Sequence, residues 1–347
     1  MPDDKRPIVS VIIKAYNEER HVAGAIESAL AALAEIDGEV ILADGASTDR
    51  TVDIAKRYPI KIVRLSDPTD RSCGAGAQLG FQYSRGEFLF LMDGDMRLQR
   101  GFLAAGVRFL RDHRTMGAVG GGMIYQDASG LEYDQRARRY DPDRGPGVVT
   151  RLGGCGLYRR SALDAVGYST DRNLHGGEEL ELAARLRAGG WTIAKIDCVA
   201  VEHYCGIGNP YVLLLRRMKT RNAFGPGEII RASLGRPHFR LVVRDDRNSR
   251  LCGLVALWWA AMAAVAVVLS GVDAVVAITA LFAFPFAVMA WRWRSLRHGL
   301  YSVMAWNTQA LCFLPGFFQP RKPPAAWMAS TVVKDPLGQS AQRAALA

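Results

Sequence analysis

An apolar run that ends abruptly in two acidic residues is the feature that most constrains this sequence. Residues 88–92 are all apolar, and Asp93, Gly94 and Asp95 follow them directly. Because the run is apolar on both of its alternating faces, it is typical of a strand in a parallel sheet that is covered on each side. Two carboxylates this close repel each other unless a cation lies beside them, and Mg²⁺ or Mn²⁺ prefers such oxygen ligands. The tripeptide taken alone is more typical of a solvated turn, so the rest of the chain must decide.

Strand-like and helix-like segments alternate along the first hundred residues. The strand-like segments are 8–13, 39–43, 60–65 and 88–93. This alternation predicts an open parallel sheet with right-handed crossovers, and ligands bind such sheets beyond the carboxyl ends of the strands. Polar side chains follow three of those ends and are expected to meet in one crevice. These side chains are Asn17, Glu18, Asp44, Asp93 and Asp95.

Positive charge is concentrated in one part of the chain. The 347 residues carry a formal net charge of +10, and residues 216–250 alone contain ten basic residues against three acidic ones. Residues 251–290, which follow, include one charged residue, Asp273. Two apolar segments, 251–270 and 272–291, are each about long enough to cross a hydrocarbon core of ~30 Å as a helix. We therefore expect a basic segment beside anionic lipid headgroups followed by membrane helices, and a buried helical hairpin in a soluble protein is the alternative.

A third apolar stretch, residues 300–318, contains the polar residues Asn307 and Gln309 as well as Pro315. Its composition predicts an interfacial or re-entrant helix, with a third crossing as the alternative. Basic residues flank the first two apolar segments, whereas the turn at 270–273 has none. The positive-inside rule therefore puts the flanks in the cytosol and the turn outside.

These features divide the chain into four expected parts. The first apolar run is too short for a secretory signal, so the first part is expected to be cytosolic. The six cysteines lack the pair spacing of a zinc site or a disulfide framework, so reduced thiols are expected. The parts are an α/β domain over 1–209, a basic amphipathic interface segment over 210–250, membrane segments over 251–320 and a tail over 321–347.

Five ordered motifs carry a resemblance to a known family. They lie between about residues 7 and 205, and they are 9–13 with 16–19, 44–51, 84–88 with 93–95, 156–163, and 177–186 with 189–191. Together they resemble the family 2 glycosyltransferases of the GT-A fold, in their membrane-anchored bacterial type. The resemblance implies an α/β fold in which helices enclose a Rossmann-like, mostly parallel sheet, followed by C-terminal membrane helices.

The resemblance also implies a site for a nucleotide-sugar donor. Asp44 resembles the carboxylate that accepts a hydrogen bond from the base, Asp93 the one near the ribose or the metal, and Asp95 the metal ligand. A Mg²⁺ or Mn²⁺ ion would act there as a Lewis acid on the departing diphosphate. For the glycine-rich segment 73–80, an ordinary strand connection is an equal alternative to nucleotide binding. The other residues expected around the nucleotide are Tyr16, Asn17, Glu18, Arg71 and Gly74.

A second pair of carboxylates begins a helix, and the resemblance assigns it to the acceptor side. Glu178 is expected to contact substrate and Glu179 to deprotonate the acceptor hydroxyl, although the family usually has aspartate at the second position. The helix dipole favours acidic residues in a first turn whatever their function. Glu181 is expected to face solvent or to orient the helix. His203 resembles a late histidine that touches the metal or the diphosphate in some GT-A enzymes, and a structural role is the alternative.

The combined interpretation is an inverting, metal-dependent glycosyltransferase. The expected acceptor is a hydroxyl of a lipid-linked or cell-surface glycan at the cytosolic face of the bacterial inner membrane, where the protein is expected to be multi-pass. Nucleic acid is not an expected partner. The Gln-x-x-Arg-Trp motif of processive synthases does not occur near residues 210–224, which argues against a polymer channel. The alternatives are a polyprenyl-phosphate glycosyltransferase, whose ionised acceptor needs no base, and a catalytically silent membrane scaffold.

Overall fold

The computed structural model describes residues 6–126, 130, 131, 134, 135, 143, 145–204 and 208–336. Its strands are β1 Val9–Ala15, β2 Gly38–Asp44, β3 Lys61–Leu65, β4 Phe88–Asp93, β5 Met96–Leu98, β6 Met116–Gln126, β7 Gly147–Val148, β8 Gly156–Arg159, β9 Thr192–Tyr204 and β10 Ser330–Lys334. Its helices are α1 Val22–Ala32, α2 Thr51–Ala55, α3 Cys73–Tyr83, α4 Phe102–Asp112, α5 Arg160–Ala165, α6 Glu178–Ala188, α7 Pro210–Lys219, α8 Gly225–Ser233, α9 Phe239–Asp245, α10 Arg247–Val268, α11 Gly271–Trp293 and α12 Leu296–Phe317.

The first four strands form the parallel half of a mixed sheet. β1 lies between β2 and β4, β3 pairs with β2, and all three pairings are parallel. Lys14 stands opposite Ala43 in β2 and opposite Asp93 in β4, so these three strands end level at one edge. The predicted parallel sheet is confirmed for this half.

The other half of the sheet mixes strand directions. β8 is antiparallel to β4 and β6, while β9 is parallel to β6 and antiparallel to β5 and β7. The pairing of β5 with β9 sets Met96 opposite His203, which brings this late histidine next to Asp95. Two regions far apart in the sequence therefore meet at the end of β4.

Helices cover the sheet on both faces. Phe88 and Phe90 of β4 point into one hydrophobic layer, which also contains Phe102 of α4. Leu89 belongs to a second layer, which contains Leu182 of α6. Both faces of β4 are buried, as its apolar sequence predicts.

Two helices, α10 and α11, are long and apolar enough to cross a membrane by length and composition among the described residues. Their mean hydropathy reaches 2.3 and 2.2, and most of their surface is exposed. Asp246 caps α10, because its carboxylate accepts hydrogen bonds from Asn248 N–H and Ser249 N–H, both at 3.1 Å. The apolar segments of the sequence are thus continuous helices with little protein around them.

The third apolar stretch forms helix α12, which packs against both α11 and α8. A Cβ on Gly299 would lie 2.7 Å from the backbone nitrogen of Ala290, near the end of α11. A Cβ on Gly227 of α8 would lie 1.9 Å from the backbone oxygen of Phe313. Glycine is needed at both contacts because the backbones approach too closely for any side chain.

A strand that the sequence analysis did not predict closes the edge of the sheet. β10 follows α12 and pairs antiparallel with β3, with Ser330 opposite Leu65. Residues 321–347 were expected only to form a tail. The described part of this segment, which ends at residue 336, returns to the α/β domain. Of the six cysteines, Cys205 lies outside the described residues, and the other five are free thiols.

Candidate active site

Asp44 ends β2 with a completely buried side chain. Its two carboxylate oxygens accept hydrogen bonds from the backbone N–H of Ser47 at 3.3 and 3.1 Å, and Arg64 Nε lies 3.3 Å from Oδ2. Burial raises the pKa of Asp44, while the hydrogen bonds from Ser47 and the charge of Arg64 offset part of that effect. The carboxylate therefore has a fixed orientation, which recognition of a base by a hydrogen bond requires.

The loop after β1 is tied to the loop after β2. Asn17 adopts a left-handed conformation with φ +57°, which Asn tolerates better than most residues. Its backbone N–H donates to Ser47 Oγ at 3.0 Å, and its side-chain Oδ1 accepts from Thr48 N–H at 2.8 Å. The backbone N–H of Glu18 donates to Thr51 Oγ1 at 2.7 Å. The two strand ends thus form one pre-ordered rim.

Tyr16 and Arg71 form an open platform beside this rim. The Arg71 guanidinium lies 3.7 Å from the centre of the Tyr16 ring, which is 38% exposed. Arg71 also passes Gly45, where a Cβ would be 3.4 Å from its Cδ. A stacked aromatic and guanidinium pair presents a flat cationic surface, which suits a nucleotide.

Acidic side chains crowd around the end of β4. A Cβ on Gly94 would lie 3.0 Å from Cγ of Glu18, so the glycine lets the two loops touch. Burial, together with the negative charges of Asp95 and Asp93, raises the pKa of Glu18 to about 8. A cation in this crevice would relieve that repulsion.

Asp95 has one oxygen engaged and the other without a partner. His203 Nε2 lies 3.2 Å from Asp95 Oδ2, whereas Asp95 Oδ1 is buried with no hydrogen-bond partner. A buried, unpaired carboxylate oxygen is costly unless a ligand completes it. No three His, Cys, Asp or Glu side chains converge on one point in the part of the chain that the structure describes. Asp95 and His203 fit a divalent ion that takes its remaining ligands from substrate phosphates and water.

Lys14 was not predicted from the sequence as a site residue. It is a buried ammonium between the carboxylates of Asp93 and Glu178. Lys14 Nζ lies 2.9 Å from Asp93 Oδ1 and 3.8 Å from Glu178 Oε1, and its side chain is only 12% exposed. Burial disfavours the charged ammonium, but the carboxylates of Asp93, Glu178 and Glu179 outweigh it and hold the pKa of Lys14 well above its usual range. A lysine near the end of a strand whose other residues, apart from Ser10, are apolar was the signal available in the sequence.

Glu178 and Glu179 begin helix α6 beside this ammonium. Gly177 precedes them with φ +84°, a left-handed conformation that favours glycine. Glu178 is buried, whereas Glu179 is half-buried. Burial and the neighbouring charge of Glu179 raise the pKa of Glu178 to about 8. The structure therefore brings the predicted acceptor pair to the same crevice as Asp93.

Glu181 does not face solvent, so that expectation is wrong. Its side chain is completely buried. Glu181 Oε1 lies 2.9 Å from Arg185 Nε and accepts a hydrogen bond of 3.0 Å from the Tyr168 hydroxyl. The buried ion pair neutralises the carboxylate inside the domain. The alternative expectation, that Glu181 orients helix α6, agrees with these contacts.

Gly74 lies in the first turn of α3, packed against residues 171–174. A Cβ there would come within 2.0 Å of the backbone oxygen of Asp171, and its backbone N–H donates to Leu174 oxygen at 3.0 Å. Gly80 similarly faces Ile12 of β1, where a Cβ would be 2.2 Å from Cγ2. Close helix packing thus accounts for these glycines, and nucleotide binding by Gly74 stays a prediction.

Comparisons with known proteins identify a family and two relatives. Residues 10–167 match the family described as Glycosyl transferase family 2. The putative glycosyltransferase EpsE of Bacillus subtilis (strain 168) is 32% identical over 189 residues, which cover 52% of this chain and 66% of the relative. Poly(ribitol-phosphate) beta-N-acetylglucosaminyltransferase TarS of Staphylococcus aureus (strain Mu50 / ATCC 700699) is 27% identical over 110 residues, which cover 30% of this chain and 19% of the relative.

A solved structure supports the fold. The mannosyltransferase PcManGT from Pyrobaculum calidifontis, in complex with GDP-Man and Mn²⁺, superposes with a TM-score of 0.53 at 21% identity. The match covers 90% of this chain and 88% of that one. At this identity the likeness extends to the fold alone. The two curated relatives are matched over only part of their length.

Proposed function

The chain belongs to the family 2 glycosyltransferases, and from that premise we propose an inverting, metal-dependent transfer of a sugar from a nucleotide-sugar donor to an acceptor hydroxyl. The observation that carries this proposal is the position of Lys14, whose ammonium lies within ion-pair distance of both Asp93 and Glu178. Donor-side and acceptor-side carboxylates therefore face each other across one cation. This arrangement of donor-side and acceptor-side carboxylates suits a direct displacement between two bound substrates.

On the donor side, the residues divide according to the parts of a nucleotide sugar. Asp44 would accept a hydrogen bond from the base, and the Tyr16 and Arg71 platform would stack on it. Asp93 would lie near the ribose or the metal. Asp95 and His203 would hold Mg²⁺ or Mn²⁺, which supplies charge neutralisation for the leaving nucleoside diphosphate.

On the acceptor side, Glu179 would act as the general base. Its carboxylate would accept the proton of the acceptor hydroxyl as the oxygen attacks the anomeric carbon and the bond to the diphosphate breaks. The attack from the face opposite the leaving group inverts the anomeric configuration. Glutamate in place of the usual aspartate is longer, and the half-buried position of Glu179 leaves the side chain room to reach the crevice.

The acceptor we favour is a glycan hydroxyl, on a lipid-linked or cell-surface carrier. The alternative is a polyprenyl phosphate, which would suit the basic segment and the two apolar helices and would need no base. The acidic pair weighs against this alternative because the charge of Glu179 would repel an approaching phosphate.

We also propose that the enzyme works at the cytosolic face of the bacterial inner membrane, with α10 and α11 as crossings. Helix α12 would lie at the interface, since its first turns contact Ala290 at the end of α11 and its last turns contact α8. Both of its ends would then lie on the cytosolic side. A cysteine placed at Gln339, which is outside the described residues, should react with a membrane-impermeant thiol reagent only in opened cells. Labelling above the background of the parent chain in intact cells would instead establish a third crossing.

Donor binding and transfer can be tested together. The full chain in detergent should be stabilised by one nucleoside diphosphate more than by others, and more with Mn²⁺ than without it, because ligands that bind the folded state raise its apparent stability. Incubation with the matching nucleotide sugar and membrane extracts should give a product of inverted anomeric configuration. Binding without transfer to any glycan or lipid fraction would favour the silent scaffold, and transfer to a pure polyprenyl phosphate would favour the alternative acceptor.

A further inference from the structure

The loop that precedes Glu178 is held by residues from the end of the chain. This acceptor loop, residues 169–177, contains Asp171, whose buried carboxylate forms an ion pair with Arg321. The side chain of Asn173 donates to the backbone oxygen of Lys322 at 2.9 Å and accepts from the backbone N–H of Lys322 at 2.8 Å. The segment directly after helix α12 is thus fastened to the loop by side-chain and backbone contacts.

A second fastening comes from helix α8. The buried carboxylate of Glu228 accepts a hydrogen bond from the backbone N–H of His175 at 2.8 Å. Its other oxygen lies 2.8 Å from His175 Nδ1. Next to it, a Cβ on Gly225 would lie 2.7 Å from the backbone oxygen of Gly176. The loop and the helix are therefore in direct backbone contact just before helix α6 begins.

Helix α8 is itself held by the last apolar helix. The Cα of Gly227, adjacent to Glu228, faces the backbone of Phe313 in α12 too closely for any side chain. Displacement of α12 would consequently move Glu228, and with it His175. A continuous series of contacts thus runs from α12 to the first turn of α6.

The donor side is held differently. Asp44, Asn17 and Glu18 take their hydrogen bonds from residues 47–51 of the neighbouring loop. Lys322 also forms an ion pair with Asp70, the neighbour of Arg71. Changes at Glu228 and Arg321, which lack such a contact, should therefore leave donor binding intact while displacing Glu179.

We propose that Glu228, Arg321 and Lys322 are positioning residues that set the place of Glu179 through the acceptor loop. The C-terminal segment, 321–334 together with α8 and α12, then completes the acceptor half of the site besides anchoring the enzyme. This inference rests on the proposed role of Glu179 as the base. Misplacement of a reacting group by about 1 Å can lower the rate by roughly 10²-fold, so loosening the loop should reduce turnover strongly.

Three full-length variants test the proposal. Glu228→Gln keeps the size of the side chain but removes an acceptor for His175. Arg321→Ala removes the counter-ion of Asp171 and leaves its hydrogen bonds from Asn173 in place. The control is Arg187→Ala, at the far end of the same helix α6. This change breaks an ion pair with Asp245 of α9, in which the guanidinium and the carboxylate are 2.6 Å apart. Hydrogen exchange is measured on peptides covering residues 171–182 and on peptides from β1 and β4. Donor binding is measured by titration with a nucleoside diphosphate and Mn²⁺, and turnover with the nucleotide sugar.

We expect Glu228→Gln and Arg321→Ala to speed exchange at 171–182, to lower kcat roughly 10–100-fold and to leave donor affinity within about twofold. Arg187→Ala should leave exchange at 171–182 and kcat close to those of the parent. Unchanged exchange at 171–182 in both test variants, or equal loss of kcat in the control, would overturn the proposal. The exchange result needs no substrate, so a parent that binds no nucleotide or transfers no sugar would count against the proposed function alone. If Arg321→Ala fails to fold, Asn173→Ala replaces it, since that change removes the two contacts to Lys322 and one hydrogen bond to Asp171.

Discussion

The donor and acceptor sides of the crevice are built in different ways. On the donor side, the hydrogen bonds that order Asn17 and Glu18 join residues 30 to 33 positions apart. On the acceptor side, the contact between His175 and Glu228 spans 53 positions, and the contacts of Asn173 with Lys322 span 149. Short crossovers of a parallel sheet thus suffice to order Asn17 and Glu18, whereas the pair of Asp95 and His203 joins residues 108 positions apart. The acceptor side depends on segments that flank the apolar helices, and it is the part that can respond to them.

The largest effect should separate the two sides at Glu179. Because a general base acts on the acceptor in the transition state, Glu179→Gln should lower turnover roughly 10²–10⁴-fold while donor affinity stays nearly unchanged. Single-turnover rates and titration with nucleoside diphosphate measure the two quantities. Glu87→Gln, at the exposed ion pair with Arg111 before β4, serves as the control and should change neither. Full turnover in Glu179→Gln would instead support a polyprenyl phosphate as the acceptor.

The converse effect should appear at Asp95. Asp95→Asn keeps the hydrogen-bonding shape but weakens a metal ligand, so Mn²⁺-dependent nucleotide affinity should fall roughly 10–100-fold. Calorimetric titration with and without Mn²⁺ measures this loss. Asp53→Asn, which removes a carboxylate from an exposed pair with Lys56, should bind like the parent. Parent-like affinity in Asp95→Asn would show that the metal is held elsewhere.

A smaller effect should show how strongly Lys14 joins the two sides. Lys14→Met leaves Asp93, and Glu178 once it is ionised, without a counter-ion. Since Asp93 is 38% exposed, the loss of unfolding free energy should be about 2 kcal/mol, below the about 3–5 kcal/mol of a fully buried pair. Urea unfolding of the detergent-solubilised chain measures the loss. Lys56→Met, which breaks the exposed pair with Asp53, should cost no more than about 1 kcal/mol. A loss of the same size in both variants would mean that the halves are independent.

The last effect concerns the pH dependence of stability. Glu178 has a pKa of about 8 in the folded protein instead of the ordinary 4.5, so between those values the folded state keeps a proton that the unfolded state has lost. The stability that this proton contributes is therefore present at low pH and lost as the pH rises towards 8. Glu178→Gln should flatten the fall of Tm between pH 5 and 8, whereas Glu35→Gln, at an exposed site, should reproduce the parent curve. An identical slope in Glu178→Gln would show that the buried carboxyl is not protonated there.

The contrast also explains how far sequence reasoning reached. The ends of β1, β2 and β4 could be predicted to converge, because parallel strands in sequence order place their ends at one edge. Glu178 and Glu179 could be assigned only through the resemblance, since nothing local relates α6 to β4. Lys14, Glu228 and Arg321 were missed because a partner for a buried charge is set by tertiary contacts. The burial of Glu181 was missed although its partner Arg185 lies one helical turn away, because burial depends on the tertiary packing around both side chains.

The pairing of β10 with β3 bears on how this chain is made. The hydroxyl oxygens of Tyr83 and Ser330 are 2.9 Å apart, although 247 positions separate the two residues in the chain. A ribosome therefore releases the α/β domain with its β3 edge open, and that edge stays open until all three apolar helices have been synthesised. Open strand edges readily pair with other chains. If the apolar helices insert into a membrane as we propose, prompt insertion would also protect the nascent enzyme from aggregation. A chain cut before residue 330 would keep the exposed edge permanently.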